Sequence, residues 1–182
     1  MTTSSRPNDS AAVQNLLAFE QIRQLVARYA IAVDSRDIEA LVHLFVEDVQ
    51  VGARQQGRDA LYDYFDRSLR EVSVTILNTG THLIELDDDD HAHGVVYCRA
   101  EIQDQQQWIV QAIQYRDAYE RRQGRWHFTR RQHLLWYGRE IGTSPIGLRP
   151  ANWPERHVGS GELPQAWPTW AAFWAGDRRS EH

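Results

Sequence analysis

The stretch Tyr115–Arg131, YRDAYERRQGRWHFTRR, decides the fold of this 182-residue chain. Its bulky side chains recur at every second position on each side of Gln123-Gly124, a dipeptide that favours a tight turn. A period of two is typical of a strand, because successive side chains of a strand point to opposite faces. The sequence therefore predicts two long antiparallel strands, Trp108–Arg121 and Arg125–Tyr137, joined by a short hairpin.

The same period extends back along the chain for two more strands. These are Val72–Leu86 and His91–Gln103, and between them lies the acidic turn Asp87–Asp90, whose like charges keep it in water. Before Leu69 the apolar residues recur every three or four positions, which predicts three amphipathic helices. Helices first and strands afterwards indicate an α+β fold, with three N-terminal helices packed on a strongly curved, mostly antiparallel sheet. Such a sheet forms a half-barrel whose concave face, closed by the helices, encloses an apolar pocket.

Composition changes on both sides of this patterned region. Residues 1–15 show no apolar run and are predicted to be a disordered tail, whereas residues 16–138 form the domain. Residues 139–182 are rich in Pro and Trp, and aromatic groups such as Trp167 and Trp174 are too apolar for a solvated tail. We expect this C-terminal extension to dock on the mouth of the pocket or on a neighbouring subunit.

Composition also excludes several kinds of chemistry. All 20 basic residues are Arg, and against 25 acids they give a formal charge of −5. Without Lys, the chain has neither the amine for a Schiff base nor the Lys of a phosphate-binding P-loop. Cys98 is the only cysteine, which excludes an internal disulfide and a CxxC motif. With no secretory pattern, long apolar run or basic stripe, we expect a cytoplasmic protein that binds neither nucleic acid nor membrane.

The order and spacing of several short motifs resemble the SnoaL-like branch of the nuclear transport factor 2-like superfamily, over residues 16–138. The resemblance implies a cone-shaped half-barrel with a deep apolar pocket. Members of this branch include scytalone dehydratase, bile acid 7α-dehydratase, hexachlorocyclohexane dehydrochlorinase, polyketide cyclases, steroid isomerases and non-catalytic binders, so the fold alone does not name a reaction. The matching motifs are Tyr29 and Asp34, Asp37 to Phe45, Gly57-Arg58-Asp59-Ala60, Tyr115-x-Asp117-x-Tyr119-x-Arg121, Gly124-Arg125-Trp126 and Arg130-Arg131.

The resemblance also implies catalytic residues. The dehydratases and the dehydrochlorinase share an Asp at the end of the first helix, matched by Asp34, which orients a His on the first long strand. Tyr29 matches a Tyr that the bile acid dehydratase uses. The position of the His falls on or near Asn78, whereas the nearest actual His is His82. Both are expected on one face of the strand, ~13 Å apart at the usual rise per residue, so Asp34 can reach only one of them. Both alternatives remain open.

Strand parity implies further residues of the pocket. An Arg inside an apolar pocket must be paired or must bind an anion or a carbonyl group, and Asp117 is the expected partner of Arg131. His91-x-His93 beside four Asp residues resembles part of a zinc site, but spacing fixes no third ligand, and we predict no metal. The implied pocket residues are Ile113, Tyr115, Arg131, His133 and Leu135, with Ala100 and Ile102 on the preceding strand.

These observations predict a cofactor-independent lyase or isomerase, of dehydratase or cyclase type, that acts on a hydrophobic oxygenated ring compound such as a polyketide, steroid or aromatic intermediate. His82, oriented by Asp34, would remove a proton, and Tyr29 or Tyr115 would bind the developing oxyanion. Without that pairing, Asp34 would act alone and Asn78 would polarise the carbonyl. The alternative is a non-catalytic module that binds a small molecule. In either case we expect a homo-oligomer, a dimer or a trimer.

Overall fold

A computed structural model describes residues 7–151 and 158–176. Three helices come first: α1 (Pro7–Ser35), α2 (Ile38–His43) and α3 (Arg58–Arg70). α1 begins at Pro7, so residues 7–15, predicted as a tail, are helical. Arg36 has a φ of 59°, in the left-handed region, and this turn separates α1 from α2. Asp37 caps α2, because its carboxylate accepts a hydrogen bond from the Ala40 N–H at 3.1 Å.

The strands follow in the predicted order. A two-stranded pair, β1 (Gln50–Val51) and β2 (Gln55–Gln56), precedes α3. The main sheet is antiparallel, with its strands in the order β3-β4-β5-β6. The predicted α+β fold is confirmed, and the predicted strands match the observed ones closely except that the last continues to Thr143. The strands are β3 (Val74–Leu86), β4 (His91–Asp104), β5 (Gln107–Arg122) and β6 (Arg125–Thr143).

The core lies between the helices and one face of this sheet. Val96, Ala100 and Phe128 on the sheet are fully buried, as are Ile22 on α1 and Leu41 on α2. The loop after α2 continues the sheet beside β6, because the Phe128 N–H donates to Leu44 O at 2.9 Å and the Val46 N–H donates to Phe128 O at 3.0 Å. These two hydrogen bonds attach the helical layer to the outer edge of β6. Because β6 pairs there with a loop and not with β3, the main sheet stays open as a half-barrel.

A bulge in β3 determines which of its side chains point inward. Thr79 pairs with Cys98, and His82 pairs with Val96, so three residues of β3 span what two residues of β4 span. An extra residue reverses the alternation of faces, so Thr79 and His82 both share the inner face with buried Cys98 and Val96. Asn78 pairs with Arg99 on the outer face and is exposed. The prediction that residues 78 and 82 share a face is therefore wrong, because it assumed an unbroken period of two.

The C-terminal extension docks on its own chain. Its helix α4 (Pro168–Ala175) covers the C-terminal end of α1, where the Thr169 hydroxyl donates to Ser35 O at 2.7 Å. The Arg70 guanidinium of α3 donates to Phe173 O at 2.9 Å, and the Phe173 side chain is buried. Arg36 lies beneath the Trp170 ring, 5.0 Å from its centroid. Within the described part of the chain, no helix is both long enough and apolar enough to cross a membrane.

Candidate active site

A cavity of about 560 Å³ opens between α1, α3 and the inner face of β5 and β6. Four residues predicted for the site, Tyr29, Tyr115, Arg131 and His133, line it. Of the other predicted pocket residues, Ile113 is buried in the core and Leu135 is 52% exposed, and neither lines this cavity. The lining is completed mainly by apolar and aromatic groups that include Phe45, Val51, Leu61, Tyr64 and Phe65.

The Arg131 guanidinium is held on the wall of this cavity. Its Nε and Nη2 donate to the two oxygens of Asp117 at 2.8 and 2.6 Å, which confirms the predicted ion pair. Its side chain is only 3% exposed and lies over the Tyr29, Tyr115 and Phe128 rings, at 4.3 to 4.4 Å from their centroids. Burial alone lowers the pKa of Arg131, but the hydrogen bonds and charge of Asp117 raise it above its ordinary value. The cavity wall therefore contains a permanent cation faced by aromatic rings.

The ion pair continues into a hydrogen-bonded chain that the sequence did not predict. The Tyr119 hydroxyl donates to Asp117 Oδ2 at 2.9 Å, and His82 Nε2 lies 3.2 Å from the Tyr119 oxygen. Because the single hydroxyl proton goes to Asp117, the Tyr119 oxygen can only accept from His82, which assigns the imidazole proton to Nε2. Burial lowers the pKa of His82 to about 4, so its ring is neutral at pH 7. The signal in the sequence was the spacing of Tyr119, two residues after Asp117 and so on the same face of the strand.

Asp34 lies at the C-terminal end of α1 and is 7% exposed. Its Oδ2 accepts the Leu77 N–H at 2.9 Å, whereas its Oδ1 is buried without a hydrogen-bond partner in the described part of the chain. Burial raises the pKa of Asp34 to about 6, although the Leu77 N–H, the Thr75 hydroxyl and the charge of Arg36 each lower it. The carboxyl group therefore changes its protonation state close to neutral pH.

The structure does not bring Asp34 and His82 together. Asp34 bonds to Leu77, and the strand from Leu77 to His82 spans roughly 13 Å even when the bulge is discounted. Within residues 7–151 and 158–176, no hydrogen bond or ion pair joins Asp34 to an imidazole, and His82 bonds to Tyr119 instead. Asn78, the other candidate, points away from Asp34 on the outer face. The sequence left open whether His82 or Asn78 lies beside Asp34. In the described part of the chain, His82 bonds to Tyr119 and Asn78 lies on the outer face, so Asp34 has no imidazole partner there.

The hydroxyls of the cavity are neutral donors. Burial raises the pKa of Tyr29 to about 12, and burial also raises the pKa of Tyr115. Burial raises the pKa of the Cys98 thiol, the charge of Arg131 lowers it, and the charge of Asp34 raises it. His133 stacks edge-on against Tyr115, with ring centroids 5.6 Å apart, and burial lowers its pKa.

The two His residues beside the acidic turn bind carboxylates. His91 Nδ1 lies 3.0 Å from Asp88 Oδ1, and His93 Nδ1 lies 2.9 Å from Asp87 Oδ1. All of these groups are largely exposed. No group of three or more His, Cys, Asp or Glu side chains in the described ranges is arranged to hold a metal ion.

Comparisons with known proteins agree with this architecture. The chain resembles a hexachlorocyclohexane dehydrochlorinase (LinA) of type 2, with 21% identity over 75% of this chain and 99% of that one and a TM-score of 0.68. It also resembles a protein from Novosphingobium aromaticivorans DSM 12444 provisionally named a scytalone dehydratase, with 22% identity, 75% and 97% coverage and a TM-score of 0.63. An NTF2-like protein of cystatin-like fold from a Novosphingobium aromaticivorans strain gives 24% identity, 74% and 92% coverage and a TM-score of 0.58.

At these identities the structural likenesses show the fold alone. Among curated proteins, the chain has no match. The family model of the SnoaL-like domain matches residues 14–132, which is most of the chain and includes Tyr29, Asp34, His82 and Arg131. The chain therefore belongs to the SnoaL-like family.

Proposed function

We propose that the protein is a lyase or isomerase that needs no cofactor, and that Asp34 transfers the proton. The observation that carries this proposal is the state of that carboxyl group: it is buried, its Oδ1 has no hydrogen-bond partner among the residues that the structure describes, and its pKa is raised to about 6. A general acid or base is most effective when its pKa lies near the operating pH, because both protonation states are then accessible. The substrate class we propose is a hydrophobic oxygenated ring compound, such as a polyketide, steroid or aromatic intermediate.

The proposed reaction begins with removal of a proton from a carbon next to a carbonyl group. Asp34 is not among the residues that line the cavity, so in this proposal the substrate extends past the lining to reach it. Asp34 takes this proton, and the electron pair moves onto the carbonyl oxygen to form an enolate. The hydroxyl of Tyr29 or Tyr115 then donates a hydrogen bond to that oxygen, which stabilises the charge as it develops. In an isomerase Asp34 returns the proton to another carbon. In a dehydratase it delivers the proton to a departing hydroxyl group.

Other polar residues bind rather than transfer protons in this proposal. His133 and Arg131 line the cavity and contact the ring compound or its oxygens. His82 does not serve as the base, since it is tied to Tyr119 rather than to Asp34. Asn78 has no part in binding, because it lies on the outer face of the sheet. The proposal therefore retains the mechanism in which Asp34 acts without an imidazole. Asn78, which was expected to polarise the carbonyl group in that mechanism, has no role in it.

The test is hydrogen–deuterium exchange into candidate substrates. A panel of cyclic hydroxy-ketones and phenolic ketones is incubated with the protein in deuterium oxide, and mass spectrometry measures exchange at the carbon next to the carbonyl. We expect wild type to accelerate exchange in at least one compound and Asp34→Asn to reduce the rate by about a hundredfold or more. Asp37→Asn, at the neighbouring helix cap, is the matched control. Equal rates for wild type and Asp34→Asn would refute the assignment of Asp34.

A second candidate function is a non-catalytic module that binds the same class of compound. Among residues 7–151 and 158–176, no imidazole bonds to Asp34, which favours it, because within this part of the chain the dyad implied by the family resemblance is incomplete. Binding of a panel compound without accelerated exchange in wild type would select this alternative. Binding can be followed through the resonances of Tyr29 and Tyr115 in NMR spectra.

We propose further that the protein assembles as a homo-oligomer in the cytoplasm. The outer face of the sheet exposes aromatic side chains, with Trp136 66% and Tyr137 52% exposed and Tyr97 packed against Trp136 at a centroid distance of 6.2 Å. Exposed apolar patches of this kind mark interaction surfaces in soluble proteins. Sedimentation of wild type and of Trp136→Glu tests the proposal: the variant should shift towards a smaller species.

A further inference from the structure

The Arg131 side chain depends on a series of groups that leads away from the cavity. Asp117 holds the guanidinium through two parallel hydrogen bonds, which fix its plane as well as its position. Nη1 takes no part in these bonds and is buried without a hydrogen-bond partner within residues 7–151 and 158–176. The guanidinium also lies over the rings of Tyr29 and Tyr115. A ring face attracts a cation but does not fix the orientation of the guanidinium plane. The orientation of Arg131 is therefore set by Asp117.

Asp117 is oriented in turn by the two groups behind it. The Tyr119 hydroxyl donates to Oδ2, the same oxygen that accepts from Arg131 Nη2, and His82 Nε2 donates to the Tyr119 oxygen. This second bond makes the hydroxyl point towards Asp117 rather than away from it. Gly94 lies opposite Asp117 on β4, where a Cβ would come within 2.6 Å of Leu83 O, so only Gly lets the backbone of β3 approach this closely.

We propose that His82 and Tyr119 are positioning residues that hold Arg131, through Asp117, close to the two hydroxyl-bearing rings of the cavity, Tyr29 and Tyr115. The inference rests on the proposed function, in which these two hydroxyls bind the developing oxyanion. A cation held at 4.3 to 4.4 Å from both ring centroids withdraws electron density from the phenols and makes them stronger hydrogen-bond donors. Arg131 also acts against the effect of burial on the pKa of both hydroxyls. His82 thus contributes to the site from outside the cavity.

The first experiment examines the geometry without any substrate. The Nε–H of Arg131 is bonded and buried, so it should give a slowly exchanging resonance in the arginine side-chain region of a heteronuclear NMR spectrum, assigned by its loss in Arg131→Gln. We expect Tyr119→Phe, which keeps the ring and removes the hydroxyl, to speed exchange of this proton by about tenfold or more. Tyr97→Phe, the same change on the outer face, should leave it unchanged. Unchanged exchange in Tyr119→Phe would overturn the positioning role.

The second experiment separates positioning from simple folding. His82→Gln keeps an amide donor that can reach the Tyr119 oxygen, whereas His82→Leu removes it at similar volume. On a compound that wild type turns over, we expect His82→Leu to lower kcat by about tenfold with KM nearly unchanged, and His82→Gln to recover most of the loss. Equal kcat in wild type and His82→Leu would refute the role in catalysis. If no compound is turned over, the proposed function fails, and the NMR result still decides whether the chain of bonds holds Arg131.

Discussion

Asp34 and Asp117 are both buried carboxylates on the inner side of the half-barrel, yet their surroundings differ. Asp117 receives a bidentate guanidinium and a hydroxyl, and its side chain is fully buried. Asp34 receives one backbone N–H on Oδ2, and none of the described residues donates a hydrogen bond to its Oδ1. Burying a charge is costly unless hydrogen bonds and an opposite charge compensate it. Asp117 is compensated and serves to hold Arg131, whereas the Leu77 N–H, the Thr75 hydroxyl and the charge of Arg36 compensate Asp34 only in part, and its raised pKa makes it the carboxyl group suited to proton transfer.

The largest effect should come from breaking the compensated pair. Arg131→Gln leaves Asp117 charged and buried with only the Tyr119 hydroxyl as a strong donor, and removes the cation from three ring faces. We expect the free energy of unfolding to fall by about 3–5 kcal/mol, measured by urea denaturation at pH 7. Arg130→Gln is the matched control, since Arg130 is exposed and its guanidinium bonds to the side chain of Gln132. A loss below about 1 kcal/mol in Arg131→Gln would mean that Asp117 is not desolvated as described.

The uncompensated carboxylate should behave in the opposite way. The pKa of Asp34 is about 6 in the folded protein and 3.8 in the unfolded reference, so the folded state binds the proton more tightly. The destabilising effect of the ionised form is therefore fully present above about pH 6 and is relieved as the pH falls from about 6 towards 4. Asp34→Asn should remove this pH dependence. At pH 7.5 we expect the variant to be more stable than wild type by about 1–2 kcal/mol.

The measurement is urea denaturation of wild type and Asp34→Asn at pH 7.5, 6 and 4.5. The difference between the two proteins should shrink as the pH falls, because both then have an uncharged group at residue 34. Asp37→Asn serves as a control for the loss of a nearby exposed charge, although it also weakens the cap of α2. A difference that stays constant across this range would contradict the raised pKa of Asp34.

The fold could be predicted from the sequence because the patterns that indicate each strand and turn involve residues that are close together in the chain. Alternation around Gln123-Gly124 and the acidic turn Asp87–Asp90 gave strands β3 to β6 in order, since side-chain period and turn chemistry act over a few residues. The Asp117–Arg131 pair was also predictable, because a buried Arg beside a strand neighbour of opposite charge has few other partners. The docking of α4 on Arg36 was not predictable, since it depends on a contact between residues far apart in the chain.

The site was harder to predict because one residue changed the parity of a strand. The bulge between Thr79 and His82 has no distinctive sequence signal beyond Gly80, which is common in bulges but also in ordinary strands. Its effect is to point His82 inward, towards Tyr119, and to leave Asn78 outside. The assumption of an unbroken strand period did not affect the predicted positions of Tyr29 and Asp34, because both lie on a helix whose periodicity is unbroken.

The smallest predicted effect concerns this parity. Asn78 is exposed on the outer face and paired with Arg99, so Asn78→Ala should change the free energy of unfolding by no more than about 0.5 kcal/mol. Leu77→Ala, one residue earlier, is the contrasting variant: Leu77 packs partly buried against the core on the inner face, and its loss should cost about 2 kcal/mol. Both values come from urea denaturation at pH 7. If Asn78→Ala were the more damaging change, the faces of β3 would be reversed at this point, and Asn78 would return as a neighbour of Asp34.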